Sequence, residues 1–179
     1  MARPPVIGIT GVARSGKDTV ANMIIARCGG YRYSFADPMR RMLAAGLNID
    51  MGDPYWIANK ETVIPAIGKS PRQLMQTLGT EWGRQLVSPD LWVTLAKATL
   101  QRNGPGMVIP GIRFESEADW VRSIGGRIYR LGRANAHSVS THVSEDGITT
   151  DPLDTAIANN GSLKDLHELI GELFRGIEA

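Results

Sequence analysis

At 179 residues, 42% of them apolar and 21% charged, the chain is about one domain long and has the composition of a globular protein. A net charge of +2 is too small to point to nucleic acid as a partner, and no apolar run approaches the roughly 18 residues that a membrane span needs. A single cysteine, Cys28, excludes an internal disulfide framework and fits a reducing cytoplasm.

In chain order, Val6–Thr10 reads as a buried strand rather than the core of a signal peptide. A glycine-bearing turn and a helix from about Lys17 to Arg27 follow, with Cys28 as a small core residue. Tyr31–Phe35 reads as a second strand, and Asp37-Pro38 starts a helix with Asp as N-cap and Pro at its first position. Residues 48–69 read as irregular. Ser70-Pro71-Arg72-Gln73 is a capping box opening a helix on which Leu74, Met75, Leu78 and Trp82 form a core stripe. Ser88-Pro89 opens the next helix, running to about Gln101. Met107–Pro110 is a strand, Glu115–Ser123 a helix, Gly126–Leu131 a strand and Thr155–Ala158 a short last strand. Residues 162–174 close the chain as an amphipathic helix with Leu163, Leu166, Leu169, Ile170 and Leu173 on one face. This alternation predicts an α/β fold, a mostly parallel sheet with helices on both faces and ligands at the carboxyl ends of its strands.

Gly11-Val-Ala-Arg-Ser-Gly-Lys17 is G-x4-G-K between an apolar strand and a helix, the context of a P-loop. Its glycines permit a tight turn that presents backbone N–H groups to phosphate oxygens, and Lys17 neutralises charge during transfer. Gly11, Ala13, Arg14, Ser15, Gly16, Lys17, Asp18 and Thr19 are the candidate ATP contacts. Asp18 stands where Ser or Thr usually follows the Lys, so Asp18 and Thr19 are the candidate Mg²⁺ ligands; for Asp18 a purely electrostatic role at the helix N-terminus stays open.

Among the 20 basic residues Arg outnumbers Lys about three to one. The planar guanidinium fits phosphate oxygens bidentately, although a GC-rich genome yields the same excess. Arg40, Arg41 and Arg72 occupy the starts of helices, where positive charge opposes the helix dipole unless an anion binds, so Arg40 and Arg72 are candidate phosphate contacts. Gln76, Thr77, Glu81 and Arg84 are candidates for base or sugar recognition. Trp92 is a candidate both for stacking on a base and for packing.

The GKDT loop, Ser34–Arg40, Ser70–Arg84, Ser88–Val93, Ile112–Glu115, His142–Glu145 and Ala158–Gly161 together resemble the bacteriophage-type deoxynucleoside monophosphate kinases, in order and over nearly the whole chain. The block at residues 78–84 is the most specific of them. The resemblance implies a single P-loop kinase domain with a monophosphate-binding region at about 36–88 and a lid at about 132–151. It also implies Mg²⁺ and ATP as phosphoryl donor, small-molecule nucleotide partners, and a cytoplasmic location (that of the host if the chain is phage-encoded). Asp37, Arg40, Arg72 and Arg113 are then expected near the acceptor, Arg130 or Arg133 near the transferred phosphate, and Asn159 or Asn160 near the donor base. His142 and Glu145 are expected as lid contacts to ribose, base or acceptor; a zinc site with His137 lacks further ligands at useful spacing. One position departs: Gly111-Ile-Arg-Phe stands where Asp-Val-Arg-Phe is expected, so either Asp18, Glu115 or Glu117 orders the metal, or metal handling is weaker, or the acceptor differs. Alternatives are another acceptor (dephospho-coenzyme A or a modified base in DNA) or a nucleotide-binding module without turnover. Homodimerisation is a further expectation.

Overall fold

The computed structural model describes residues 5–134 and 147–175; His137, His142 and Glu145 lie outside them, as does most of the expected lid. The chain divides into two compact units, Met1–Ser34 with Lys97–Ala179, and Phe35–Ala96. Among the described residues, no helix is long and apolar enough to cross a membrane.

The first unit carries a parallel five-stranded sheet, β1 (Val6–Thr10), β2 (Tyr31–Arg32), β3 (Met107–Pro110), β4 (Arg127–Gly132) and β5 (Thr155–Ala158), in the order β2-β3-β1-β4-β5. Every residue of β1 and β3 is buried, as a parallel sheet covered on both faces requires. Helix α1 (Lys17–Cys28) places Val20, Ala21, Met23, Ile24 and Cys28 in the core, where Leu166, Ile170 and Phe174 from the C-terminal helix region meet Ile7, Ile9 and Tyr129. β1 lies between β3 and β4, so the chain crosses from one side of it to the other after β3; such a switch point opens a crevice at the strands' carboxyl ends. The fold is that of an α/β P-loop protein.

The second unit is helical, with α2 (Asp37–Leu47), α3 (Pro54–Ala58), α4 (Pro71–Gln76) and a π-helix, Thr77–Val87, before α5 (Leu91–Asn103) begins. The capping box at Ser70 forms as expected, Ser70 accepting from the Gln73 N–H and Gln73 from the Ser70 N–H. The expected stripe on the following turns does not form. Leu74, Met75 and Leu78 are half-buried and Trp82 is exposed, while Gly79, Thr80 and Gly83 form the buried face. The cause is winding: the Ser88 N–H reaches back five residues to the Gly83 carbonyl, which rotates the faces away from the 3.6-residue period. Packing enforces it, since a Cβ at Gly79 would lie 2.8 Å from Met39 Sδ and one at Gly83 would lie 2.4 Å from the Trp92 ring.

Smaller expectations are corrected too. The N-cap of α2 is Ala36, with Asp37 inside the first turn, where its carboxylate accepts from Arg40 at 2.8 Å. Residues 48–69 contain α3, capped by Asp53 accepting from the Tyr55 N–H. β2 stops at Arg32, although the Tyr33 N–H still donates to the Val108 carbonyl. After α6 (Glu115–Ser123), the last helix, α7 (Leu163–Leu173), starts with a Ser162–Asp165 capping box; Leu163 is exposed there, while Leu166 and Ile170 are buried.

Candidate active site

At the carboxyl ends of β1, β3, β4 and β5 a cleft of about 630 Å³ opens, within the range of nucleotide-sized pockets. Its wall includes Gly11, Val12, Ala13 and Lys17 of the glycine loop, Gly111 and Arg113 after β3, and Arg130 and Arg133 at the end of β4. Gly147 and Ile148 complete it ahead of β5. Among the described lining residues four are cations (Lys17, Arg113, Arg130 and Arg133) and none is acidic, the charge balance of a site for a polyanion.

The loop's shape depends on its glycines. Gly11, Arg14 and Gly16 have φ of 142°, 64° and 100°, and a Cβ at Gly11 would lie 2.3 Å from the Leu131 carbonyl oxygen. Gly16 is the N-cap of α1 and supplies no side-chain cap, and a helix N-terminus at this place favours an anion through its dipole. Lys17 folds its ammonium back onto the Gly11 and Val12 carbonyls at 2.8 and 2.7 Å.

The two asparagines expected at the donor base sit at the foot of this loop. Asn159 is buried; its Nδ2 donates to the Ser15 carbonyl at 2.8 Å and its N–H to the Gly132 carbonyl. Asn160 Oδ1 accepts from the Ala134 N–H at 2.8 Å. The pair ties the glycine loop to the exit of β4. Ser15 Oγ is itself buried and has no hydrogen-bond partner among the described residues.

Each carboxylate expected to order a metal already has a partner. Asp18, 74% exposed in its side chain, pairs with Arg32 at 2.6 Å. Glu117 is buried and accepts from the Arg113 and Phe114 N–H groups, capping α6. Glu115 accepts from the Thr149 N–H, and hydrogen bonds from the Thr149 side chain first and its backbone second hold the Glu115 carboxyl below the usual carboxylate range. Gly111, with φ of 108° and open space where a Cβ would stand, leaves the end of β3 without an acid. The described residues contain no cluster of three or more His, Cys, Asp or Glu that could hold a metal ion. Such a donor set fits Mg²⁺ carried on a nucleotide's phosphates and met by one carboxylate, not an all-protein cage.

In the second unit the two helix-start arginines have local anions. Arg40 pairs with Asp37 at 2.8 Å and Arg72 with Glu61 at 2.5 Å, which offsets the unfavourable dipole without a ligand. Arg84 donates to the Pro89 carbonyl at 3.2 Å, and the Nε2 of Gln76 is buried without a hydrogen-bond partner among the described residues. Trp92 is a packing residue rather than a base platform: it is 1% exposed, lies against Gly83 and donates its indole N–H to the Gly79 carbonyl at 2.7 Å. Thr19 is exposed and, like Asp18, does not line the cleft.

Sequence reasoning missed Arg32, Glu61 and Asp154, which hold Asp18, Arg72 and Arg130, and Arg122, which holds Asp154. All four act through pairings 11 to 32 residues apart, and no local motif announces them.

The sequence pattern of one family, deoxynucleotide monophosphate kinase, matches residues 5–63 and 55–170. A protein of Acanthamoeba polyphaga mimivirus, whose name gives deoxynucleotide monophosphate kinase as a provisional assignment, is 27% identical over 180 residues, covering 92% of this chain and 93% of that one. The deoxynucleotide monophosphate kinase of Enterobacteria phage T4 is 25% identical over 232 residues, covering 92% and 96%. Among solved structures, TT1252 from Thermus thermophilus superposes with a TM-score of 0.55 at 17% identity, covering 99% of this chain and 100% of its own. A dephospho-CoA kinase from Campylobacter jejuni gives 0.53 at 13% identity, covering 99% and 98%; at these identities the likeness speaks to the fold alone. The glycine loop, its cation-lined cleft and a sequence match over nearly the whole chain converge on one conclusion: this protein belongs to the deoxynucleotide monophosphate kinase family.

Proposed function

We propose that the protein transfers the terminal phosphoryl group of ATP to a deoxynucleoside monophosphate, giving the diphosphate and ADP. The observation that carries this reading is the cleft over the glycine loop, lined among the described residues by four cations and no acid, with the N-terminus of α1 following directly from that loop. Family membership supplies the acceptor class.

The acceptor phosphate oxygen is a nucleophile at neutral pH, so the transfer is in-line and needs neither a general base nor a covalent enzyme intermediate. What the chain contributes is position and charge. The donor phosphates sit in the turn formed by residues 11–16, and Arg14 faces them. Lys17 leaves the carbonyls of Gly11 and Val12 for the phosphate oxygens, exchanging two neutral acceptors for charged ones. Arg133 adds charge near the transferred group. Asp18 and Thr19 would hold Mg²⁺, and the ion when bound would neutralise charge on the donor's phosphate oxygens. Acceptor binding falls to Asp37, Arg40, Arg72, Gln76, Arg84 and Arg113, with His142 and Glu145 as contacts from the lid. An acceptor phosphate at Arg40 or Arg72 then displaces Asp37 or Glu61, so binding includes an exchange of anions. The proposed setting is the cytoplasm, that of a host if the chain is phage-encoded.

Replacement of Lys17 by Met tests the donor half. A drop in transfer of two orders of magnitude or more, with the fold intact by circular dichroism, is expected for the loss of a charge that acts on the transferring group. Transfer at the wild-type rate contradicts the reading.

A further inference from the structure

Beside the nucleotide cleft, the first unit contains a buried carboxylate that carries two arginines. Asp154, 1% exposed in its side chain, accepts from Arg122 Nη2 at 2.9 Å and from Arg130 Nε at 2.8 Å. Arg122 adds a bond from Nε at 3.2 Å, and the pairing with Asp154 raises its pKa further. The carboxylate is fixed by a turn in which the Leu153 N–H donates to Asp151 Oδ1 and the Asp154 N–H to the Asp151 carbonyl. Two half-buried cations on one buried anion, all hydrogen-bonded, satisfy the condition under which charges are tolerated out of water.

Arg130 does not end there. Its Nη1 donates to the Ile148 carbonyl at 3.1 Å and its Nη2 to the Thr149 carbonyl. The Thr149 N–H in turn donates to the Glu115 carboxylate. All three guanidinium nitrogens are thus engaged, and residues 148–149 are held by their carbonyls on Arg130 and by an amide on Glu115. Ile148 and its neighbour Gly147 line the cleft.

We propose that Asp154 is a positioning residue, which sets Arg130 as a forked strut holding the cleft wall at residues 147–149, so that Arg130 acts on the wall and not as a cation on the transferred phosphate. Only a planar fork reaches a carboxylate and two carbonyls at once; a lysine ammonium is a point charge on a flexible stem. The role of the wall rests on the reading of this cleft as the donor site.

Arg130→Lys, Arg130→Gln and Asp154→Asn separate the possibilities. Amide exchange at Thr149 is followed in the nucleotide-free protein, and kcat and KM for ATP are measured with a deoxynucleoside monophosphate as acceptor. The strut predicts that Thr149 exchange accelerates at least about tenfold in all three variants while α1 and β1 keep their protection. It also predicts that Arg130→Lys loses as much kcat as Arg130→Gln, and that the Arg130→Lys/Asp154→Asn double variant is no worse than the worse single, as for residues acting as one unit. Near-normal kcat in Arg130→Lys beside a large loss in Arg130→Gln overturns the proposal in favour of a phosphate cation, and so does unchanged Thr149 exchange. If Asp154→Asn fails to fold, the two Arg130 variants decide alone. A wild-type protein without transfer activity refutes the kinase reading and leaves the exchange experiment standing.

Discussion

Asn159→Ala removes the side chain that joins β5's exit to the glycine loop. The wild-type amide donates to the Ser15 carbonyl at 2.8 Å, and a Cβ at Gly16 would lie 2.7 Å from the same nitrogen, so side chain and loop are in direct contact. Its removal strips a buried carbonyl of its partner, a loss of about 1–3 kcal/mol. For a chain of this size each kcal/mol moves the melting midpoint by about 2–4 °C, which gives a fall of about 2–12 °C. The loop, strained by the positive φ at Arg14, then loses the brace that holds its N–H groups toward the phosphates. Because the defect lies under the phosphates and not at the base, KM for ATP and for GTP should rise by the same factor. Thermal melts followed by circular dichroism and initial rates with both donors make the assay. An unchanged midpoint together with a loss confined to ATP would show that Asn159 reads the base, and would refute the reasoning.

Three further outcomes follow from the same structure. Gly83→Ala places a methyl carbon 2.4 Å from the Trp92 ring, so it should cost about 1–3 kcal/mol through overpacking and perturb Trp fluorescence; an unaltered melt counts against the packing described for the π-helix. Glu115 has a carboxyl pKa lowered chiefly by Thr149, so its contribution to stability is complete above the ordinary carboxylate pKa and is lost as the pH falls through the lower folded value. Glu115→Gln should therefore flatten the acid limb of the stability curve below about pH 4.5 and leave stability at pH 7 far less pH-dependent than the wild type's acid limb, as checked by urea titrations across pH. Chelation of divalent ions should abolish transfer, and Asp18→Asn should raise the Mg²⁺ concentration for half-maximal rate severalfold; an unchanged Mg²⁺ dependence removes Asp18 from metal handling.

Much of the sheet was legible because its signals are local. The apolar runs at residues 6–10 and 107–110 are wholly buried strands, and the glycine loop between a strand and a helix announces its own geometry. The Ser70 capping box likewise depends on residues three apart. What escaped is set by distant partners. Gly79 and Gly83 stand four apart, a spacing that reads as an ordinary helix, and the fit to Met39 and Trp92 selects the wider winding. Arg40 and Arg72 looked unbalanced at helix starts, yet Asp37 and Glu61 answer them, the second from 11 residues away. Arg130 was legible as a cation at a strand end, while its engagement by Asp154 depends on the buried side of a turn 24 residues later.

The central claim is phosphoryl transfer to a deoxynucleoside monophosphate, and ADP release with Mg·ATP measures it directly. The assay takes dAMP, dGMP, dCMP, dTMP and 5-substituted pyrimidine monophosphates as acceptors beside the ribonucleotides, dephospho-coenzyme A and duplex DNA. The account predicts ADP release in step with formation of at least one deoxynucleoside diphosphate, lost in Lys17→Met. ADP release with dephospho-coenzyme A or DNA alone, or with no acceptor in the panel, would contradict it.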